Sequence, residues 1–562
     1  MRWIEYIAFL SVVVALVWPV GGYLARVFEH QPTWLDPLLR PVEARLHRLM
    51  GVTLDQEMSA GVYTLSFVLF GLLGAGWLLL LLMIQQGLPG GPADHYLTTP
   101  MTADLAANTA ISFATTTTWQ AYGGETTLRY ATDLLGLVSQ NFLAGAAGLA
   151  VGIAFIRGLA RENSATLGSF WVDMIRAVLW VLLPLSLAGG LVLVWQGVPL
   201  NFAAYTQAHT LEGAAQAIAQ GPVAALEMIK NLGTNGGGFF NVNAAHPFEN
   251  PTPLTNFLEL LSIAVLPASL TATLGRMTGR PRAGWVLLGV MVALFAAGLA
   301  ICDLAEAATP PQLAGLHLAG GNMEGKETRF GVGGSVLAAV VTSNGATGSY
   351  NSMHGSYQAL GVLVPLVNML LGEVIFGGLG TGLCGMIMMT LIAAFLGGLM
   401  IGRTPAYLGK RITVHETQLT ILYALLTPAV VLTLTSIALA TRAGQAGLVT
   451  NTGARGFTEV MFAYASSMAN NGQNMAGLNA DSLFYNATTA VAMLAGRFGL
   501  GALILALAGR FAAQLRLAIT DGTLPNDTPQ FGALVAATIL LVGGLSFLPA
   551  LALGPVAEAL SR

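Results

Sequence analysis

Four short stretches rich in Thr, Asn, Ser and Gly interrupt hydrophobic runs of this chain: TTTTWQAYGG (residues 115–124), TNGGG (234–238), TSNGATG (342–348) and ANNGQ (469–473). Backbone carbonyls exposed by small polar residues at membrane depth replace the water around a cation, so four such stretches imply one ion filter with four walls. Neutral oxygens come from Thr116, Thr117 and Thr118, from Thr234 with Asn235, from Ser343 with Asn344, and from Asn470 with Asn471. Gly236, Gly345 and Gly472 supply the backbone freedom that aims carbonyls inward. A calcium or magnesium site would carry Asp or Glu ligands, yet Glu125, just beyond the first stretch, stands alone. Potassium or a similar monovalent cation is the expected ligand. The plain alternative, Gly and Asn making ordinary turns in outside loops, explains one such stretch better than four.

The elements that must hold these walls share a local grammar. An apolar or small-residue run of about a dozen residues, too short to cross about 30 Å of hydrocarbon, leads into each stretch, and a full membrane helix follows it. The runs are Asp104 to Ala114, Pro222 to Leu232, Phe330 to Val341 and Phe457 to Met468. A re-entrant half-helix fits that length, and its C-terminal dipole places partial negative charge toward a cation. Ten membrane helices are expected near 3–25, 61–86, 130–157, 171–196, 254–276, 283–303, 358–402, 415–441, 487–515 and 530–552. The seventh is too long for one crossing, and GGLGTGLCG (Gly377 to Gly385) at its centre predicts a break.

The expected fold is therefore an all-α integral membrane protein with four fused helix, pore-loop, helix repeats around one pseudo-fourfold axis. The corresponding division is 1–60 (first membrane helix and cytoplasmic loop), 61–160, 161–280, 281–412 (with the broken second helix) and 413–520 as repeats, and 521–562 as a last helix.

Composition agrees with a lipid environment, since 54% of the 562 residues are hydrophobic and only 9% are charged, where a soluble domain carries about 25%. The near balance of 24 Lys and Arg against 27 Asp and Glu gives no polyelectrolyte surface for nucleic acid. Cys302 and Cys384 each lie in an apolar stretch and read as core thiols, without a metal or disulfide framework. Arg26, Arg40, Arg45 and Arg48, then Arg157 and Arg161, then Arg276, Arg280 and Arg282, then Arg403, Lys410 and Arg411, then Arg510 and Arg516 concentrate positive charge in alternate loops. Those loops should face the cytoplasm, with both termini and every polar stretch on the outer side.

Longer motifs add a specific resemblance. TTTTWQAYGGE (Thr115 to Glu125), NLGTNGGGFFNVNAAHPFENPTPLTN (Asn231 to Asn256), GEVIFGGLGTGLCGM (Gly372 to Met386), IGRTPAYLGKRI (Ile401 to Ile412) and ANNGQNMAGLNADSLFYN (Ala469 to Asn486) resemble the KdpA family, the potassium-binding subunits of the bacterial Kdp ATPase. The resemblance implies a member of the potassium channel-like transporter superfamily that captures extracellular potassium and passes it through an intramembrane tunnel to a P-type ATPase subunit (KdpB-like). It implies further partners: a single-helix accessory subunit (KdpC-like) and a very small membrane peptide (KdpF-like). It also implies a bacterial inner-membrane location, no covalent cofactor, potassium as substrate, and no catalysis by this chain. The chain itself contains neither a Walker A loop nor a DKTGT phosphorylation motif, and TDGTLPND (Thr520 to Asp527) is only superficially similar to the latter. A stand-alone channel or an ion-coupled symporter would use the same filter and is the alternative function.

Two walls depart from the family pattern, with Thr116 and Thr118 where Asn is common and with a longer third stretch, which bears on affinity and on discrimination against rubidium or ammonium. Gln120 matches a position the family uses in ion binding, or else braces a re-entrant helix. Glu373 and Arg497 lie within the seventh and ninth helices, where a buried charge costs on the order of 3 kcal/mol. Arg497 either balances Glu373, repels ions below the filter, or snorkels; Glu373 is placed for a tunnel mouth. Arg176 reads as an interfacial anchor, and His246 with Glu249 as part of a rigid outside turn set by Pro247 and Pro251.

Overall fold

A computed structural model describes residues 2–310, 320–517 and 524–561. Part of the Thr520 to Asp527 loop thus lies outside the described residues. Among the described residues, ten helices are long and apolar enough to cross a membrane: Arg2–Phe28, Ala60–Gly87, Tyr130–Ala160, Phe170–Trp195, Pro253–Met277, Pro281–Ala307, Thr381–Met400, Val414–Ala440, Leu483–Ala513 and Pro529–Leu560. Many begin where a side chain satisfies the free first-turn amides. The Ser59 and Thr528 hydroxyls accept from the amides of Val62 and Phe531, and Thr252 with Thr255 forms a reciprocal capping box.

Four of the short helices between the long ones, Ala103–Ala114, Val223–Leu232, Gly331–Asn344 and Gly453–Ala469, occupy corresponding places in the order of elements. The order long, short, long occurs four times, with Arg2–Phe28 and Pro529–Leu560 outside the series. Helices following one of these four short helices are more buried than those preceding it: 89% of the most apolar window of Tyr130–Ala160 and 78% of that of Pro253–Met277 are buried, against 28% for Ala60–Gly87 and 44% for Phe170–Trp195. The core therefore lies where the four re-entrant segments end.

The long seventh segment is indeed divided, into Ala359–Leu370 and Thr381–Met400, but the break begins upstream of the glycine cluster expected to make it. Gly372, Glu373, Phe376 and Gly380 carry positive φ angles of 78°, 52°, 49° and 88°, so the turn is made by residues 371–380. Gly382 and Gly385 are helical. Gly382 serves close approach instead, since a Cβ there would lie 2.4 to 2.8 Å from Gly377 backbone.

The first inter-helix loop contains a short helix, Asp36–Met50, with no counterpart in the sequence expectation. Its Glu43 carboxylate accepts from Arg176 Nε at 2.8 Å, both side chains are buried, and Arg176 also donates to the Val27 carbonyl. Arg176 is thus an internal tie between elements rather than an interfacial anchor: its carboxylate partner arrives from a helix more than a hundred residues away. Two small antiparallel hairpins, Thr206–His209 with Ala215–Ile218 and Ala406–Tyr407 with Lys410–Arg411, lie in the connections.

Candidate functional site: a four-cornered carbonyl ring

Each short helix ends in the same way. A residue in the left-handed region follows its last turn: Thr116 (φ 63°), Thr234 (51°), Ala346 (49°) and Asn470 (58°). The next residue returns its amide to the carbonyl five positions back, from Thr117 to Ser112 (3.0 Å), Asn235 to Lys230 (2.8 Å), Thr347 to Thr342 (3.4 Å) and Asn471 to Ser466 (2.9 Å). This is a Schellman closure, which satisfies helix-terminal carbonyls and turns the chain sharply away. A second left-handed residue then follows in every wall: Thr118 (48°), Gly236 (85°), Gly348 (67°) and Gly472 (90°).

These second residues lock the walls together. A Cβ on Gly236 would lie 1.4 Å from the Thr347 carbonyl oxygen, one on Gly348 2.2 Å from that of Asn471, and one on Gly472 2.1 Å from that of Thr117. At the remaining corner the Thr118 hydroxyl donates to the Asn235 carbonyl oxygen at 2.5 Å. The contacts run from wall one to two, two to three, three to four and four to one, so the loops form a closed ring. Thr117, Asn235, Thr347 and Asn471 are fully buried, and among the described residues no hydrogen-bond donor reaches the Thr347 or Asn471 carbonyl. Buried carbonyls without a protein donor need another positive partner.

Eleven of the sequence-selected wall residues gather where the four loops meet or directly before them: Thr116, Thr117, Thr118, Thr234, Asn235, Gly236, Gly345, Asn470, Asn471 and Gly472 fall in or beside the turns, and Asn344 closes its helix. The third wall needs a shift of register. Ser343 and Asn344 form the last turn of Gly331–Asn344, and the ring residues are Ala346, Thr347 and Gly348. Polarity misled because both side chains bond back to their own helix: Ser343 Oγ donates to the Val340 carbonyl at 3.2 Å and Asn344 Nδ2 to the same oxygen at 2.9 Å.

Wall side chains brace the turns. Thr234 Oγ1 accepts from the Leu379 amide at 2.7 Å in the broken segment, Asn470 Nδ2 donates to Thr117 Oγ1 at 3.0 Å, and Asn471 Nδ2 donates both to the Thr342 carbonyl (2.9 Å) and to Glu373 (2.7 Å). Gln120 Oε1 accepts from the Gly238 amide at 2.8 Å, so Gln120 holds the far limb of wall two. Gln120→Ala leaves that amide without an acceptor and should weaken cation binding about tenfold, the worth of about 1.4 kcal/mol, as read by titration of cation-dependent thermal stabilisation. An unchanged midpoint would show that the second wall keeps its shape without this brace.

Two spaces flank the ring. On one side a cavity of about 480 Å3 is lined by all four post-turn loops, including Gln120, Asn241, Tyr350 and Asn474, with the carboxylates of Glu327 and Asp481 at its wall. Lys326, also there, is neutralised by Glu306 at 2.8 Å. Burial, reinforced by the Lys326 cation, holds the His354 imidazole down at about 3, so it adds no positive charge at neutral pH. On the other side Met468, Asn470, Gly378, Glu373 and Arg497 line a cavity of about 70 Å3, room for several waters. Glu373 and Arg497 share this cavity without an ion pair between them: Glu373 holds Asn471, and Arg497 Nη2 donates to the Ala144 carbonyl at 2.6 Å while its Nε has no partner. The balancing role expected for Arg497 is therefore corrected, because Asn471 already occupies the carboxylate.

A buried network behind wall two was missed in the sequence. Lys230 Nζ contacts Glu227 (2.6 Å) and Glu249 (2.5 Å), and Glu249 also accepts from the Phe240 amide. Glu249 thereby joins the first half of wall two to the second, beyond the turn role assigned to it. Glu227 and Lys230, three positions apart inside an apolar run, were the available signal, since such charges must find partners.

A profile of the family described as potassium-transporting ATPase A subunit matches residues 7–560. The potassium-transporting ATPase potassium-binding subunit of a Methylorubrum extorquens strain is 51% identical over 556 residues, covering 99% of this chain and 97% of the relative. Its counterpart from Acidobacterium capsulatum is 47% identical over 578 residues, covering 99% and 98%. Among solved structures, the potassium transporter TrkH from Vibrio parahaemolyticus superposes with a TM-score of 0.53 at 14% identity, over 88% of this chain and 98% of that one, a likeness of fold. With a ring built from four repeated turns and a family match spanning nearly every residue, the chain belongs to the potassium-transporting ATPase A subunit family.

Proposed function

We propose that this chain is the potassium-binding membrane component of an ATP-driven uptake system, in which a cation is dehydrated by the ring and handed to a separate ATPase subunit. The carrying observation is the closed set of buried carbonyls at Thr117, Asn235, Thr347 and Asn471, each touched by the second left-handed residue of the preceding wall. Neutral oxygens at such a ring favour a weakly hydrated monovalent cation over a divalent one. Thr116, Thr117, Thr118, Thr234, Asn235, Gly236, Asn470, Asn471 and Gly472 form three walls, and Gly345 with Ala346–Gly348 the fourth.

The 480 Å3 cavity is the outer mouth, on the periplasmic side of a bacterial inner membrane together with both termini. The inner cavity, between Glu373 and Arg497, is the start of the route toward the ATPase partner. A single-helix partner and a small membrane peptide complete the complex. Supporting a handover rather than free passage, Arg497 places an unneutralised cation beneath the ring.

Titration of the purified chain with potassium and with sodium at constant ionic strength tests this directly. Stabilisation against thermal unfolding should reach about 2.7 kcal/mol when potassium is a hundredfold above its dissociation constant, at concentrations where sodium has little effect. Equal responses to the two ions would remove the selective ring.

A further inference from the structure

The ring has three corners of one kind and a fourth of another. At Gly236, Gly348 and Gly472 the neighbouring carbonyl comes so near that no Cβ fits, the hypothetical atom lying 1.4 to 2.2 Å from the oxygen. Position 118 occupies the same place in wall one, has the same left-handed backbone (φ 48°), and yet carries a whole Thr side chain. That corner is therefore wide enough to admit a Cβ, which the other three are not, and it is bridged by a hydrogen bond from Thr118 Oγ1 to the Asn235 carbonyl. The same hydroxyl lies 2.8 Å from the Thr117 carbonyl, and is buried.

Two consequences follow for a cation in the centre. A carbonyl that accepts a hydrogen bond has less negative potential left for an ion, so the Asn235 oxygen is a weaker ligand than those of Thr347 and Asn471. A wider corner also relaxes the ring toward larger ions. The hydroxyl sets how wide: it draws two oxygens to 2.5 Å, closer than a methyl group and an oxygen approach.

We propose that Thr118 is the specificity-determining residue of this chain, a hydroxyl spacer at the first-to-second corner that fixes ring width and so sets the preference between potassium and the larger rubidium ion. This rests on the potassium-binding function proposed above and adds to it which residue grades the permitted ions. Thr118 is the lever because it meets the ring carbonyl of the next wall, as the glycines do at the other three corners; Thr116, at the first left-handed position, instead bonds the adjacent Thr115 carbonyl.

Three variants of the full-length purified chain separate width from hydrogen bonding. Thr118→Gly closes the corner and should raise the ratio of rubidium to potassium midpoints, read by thermal stabilisation, about fivefold. Thr118→Val keeps the bulk without the donor, pushes the walls apart, and should lower that ratio about fivefold. Thr118→Ser keeps the hydroxyl and should leave the ratio within about twofold. Should the Gly variant fold poorly, the opposite behaviour of Val and Ser still decides the matter. Potassium midpoints that persist in every variant with an unchanged ratio would overturn the role of Thr118 alone. A wild-type chain that potassium does not stabilise would overturn both this role and the ring as a potassium site.

Discussion

Gly236→Ala should abolish high-affinity potassium binding while leaving a folded membrane protein. The added Cβ would sit 1.4 Å from the Thr347 carbonyl oxygen, and backbone oxygen cannot swing aside as a flexible side chain can. Either wall two or wall three must move, and both are held: Thr234 by the Leu379 amide, Asn235 by the Lys230 carbonyl, and Thr347 by the Thr342 carbonyl. Left-handed backbone at φ 85° adds about 1–2 kcal/mol of strain for a residue with a Cβ. Together these should weaken potassium binding at least about a hundredfold, equivalent to about 2.7 kcal/mol.

Gly279→Ala provides the matched comparison. Its φ is 70° and nothing lies within 4 Å of the added Cβ, so it should lose about 1 kcal/mol of stability with an unchanged potassium midpoint. Comparable losses of affinity in the two variants would mean that strain, and not the closed corner, controls the ring.

Replacing Arg497 with Met should open a leak. Its guanidinium reaches one backbone acceptor, the Ala144 carbonyl, leaves Nε unpartnered, and lines the smaller of the two cavities beside the ring, together with Asn470 and Glu373. A unit charge taken at about 10 Å from a passing cation raises the cation's energy by about 1.7 kcal/mol at an effective dielectric constant near 20, a factor of about eighteen in occupancy. Lys retains that charge and Met removes it while filling most of the volume. Passive potassium flux into liposomes carrying Arg497→Met should therefore rise roughly tenfold or more over wild type, with Arg497→Lys near wild type. Equal flux in all three would show that the arginine packs the helices without acting on the ion. The Ala144 carbonyl loses its donor in the Met variant, so a lower unfolding temperature is expected alongside the leak.

Much of the architecture was readable from residue order because lipid imposes simple arithmetic: a span needs about twenty apolar residues, and anything shorter must turn back. The four short runs and ten spans follow from that arithmetic, and their ends agree with the folded chain within a few residues at most positions. The third wall slipped because composition cannot tell a polar helix end from a polar turn. Ser343 and Asn344 look like loop residues, and only the fold shows their backbone in the last helical turn, with both side chains bonded to the Val340 carbonyl. Arg176 with Glu43, and Lys230 with Glu249, were opaque for a related reason, since the cost of burying each charge is met by a partner distant in sequence or set across a turn.

Ten long apolar runs settled by themselves that this protein crosses a membrane many times, and Thr, Asn and Gly in four repeated stretches marked where neutral oxygens are offered. Folding alone settled which carbonyls face which neighbours, where three glycines are obligatory and a threonine is accommodated, and that Glu373 bonds Asn471 while Arg497 stands unneutralised. Hydrophobic periodicity and chain length are local quantities that each segment carries with it. Corner contacts between walls more than a hundred residues apart exist only after the segments converge, when distances of tenths of an ångström decide which side chain fits.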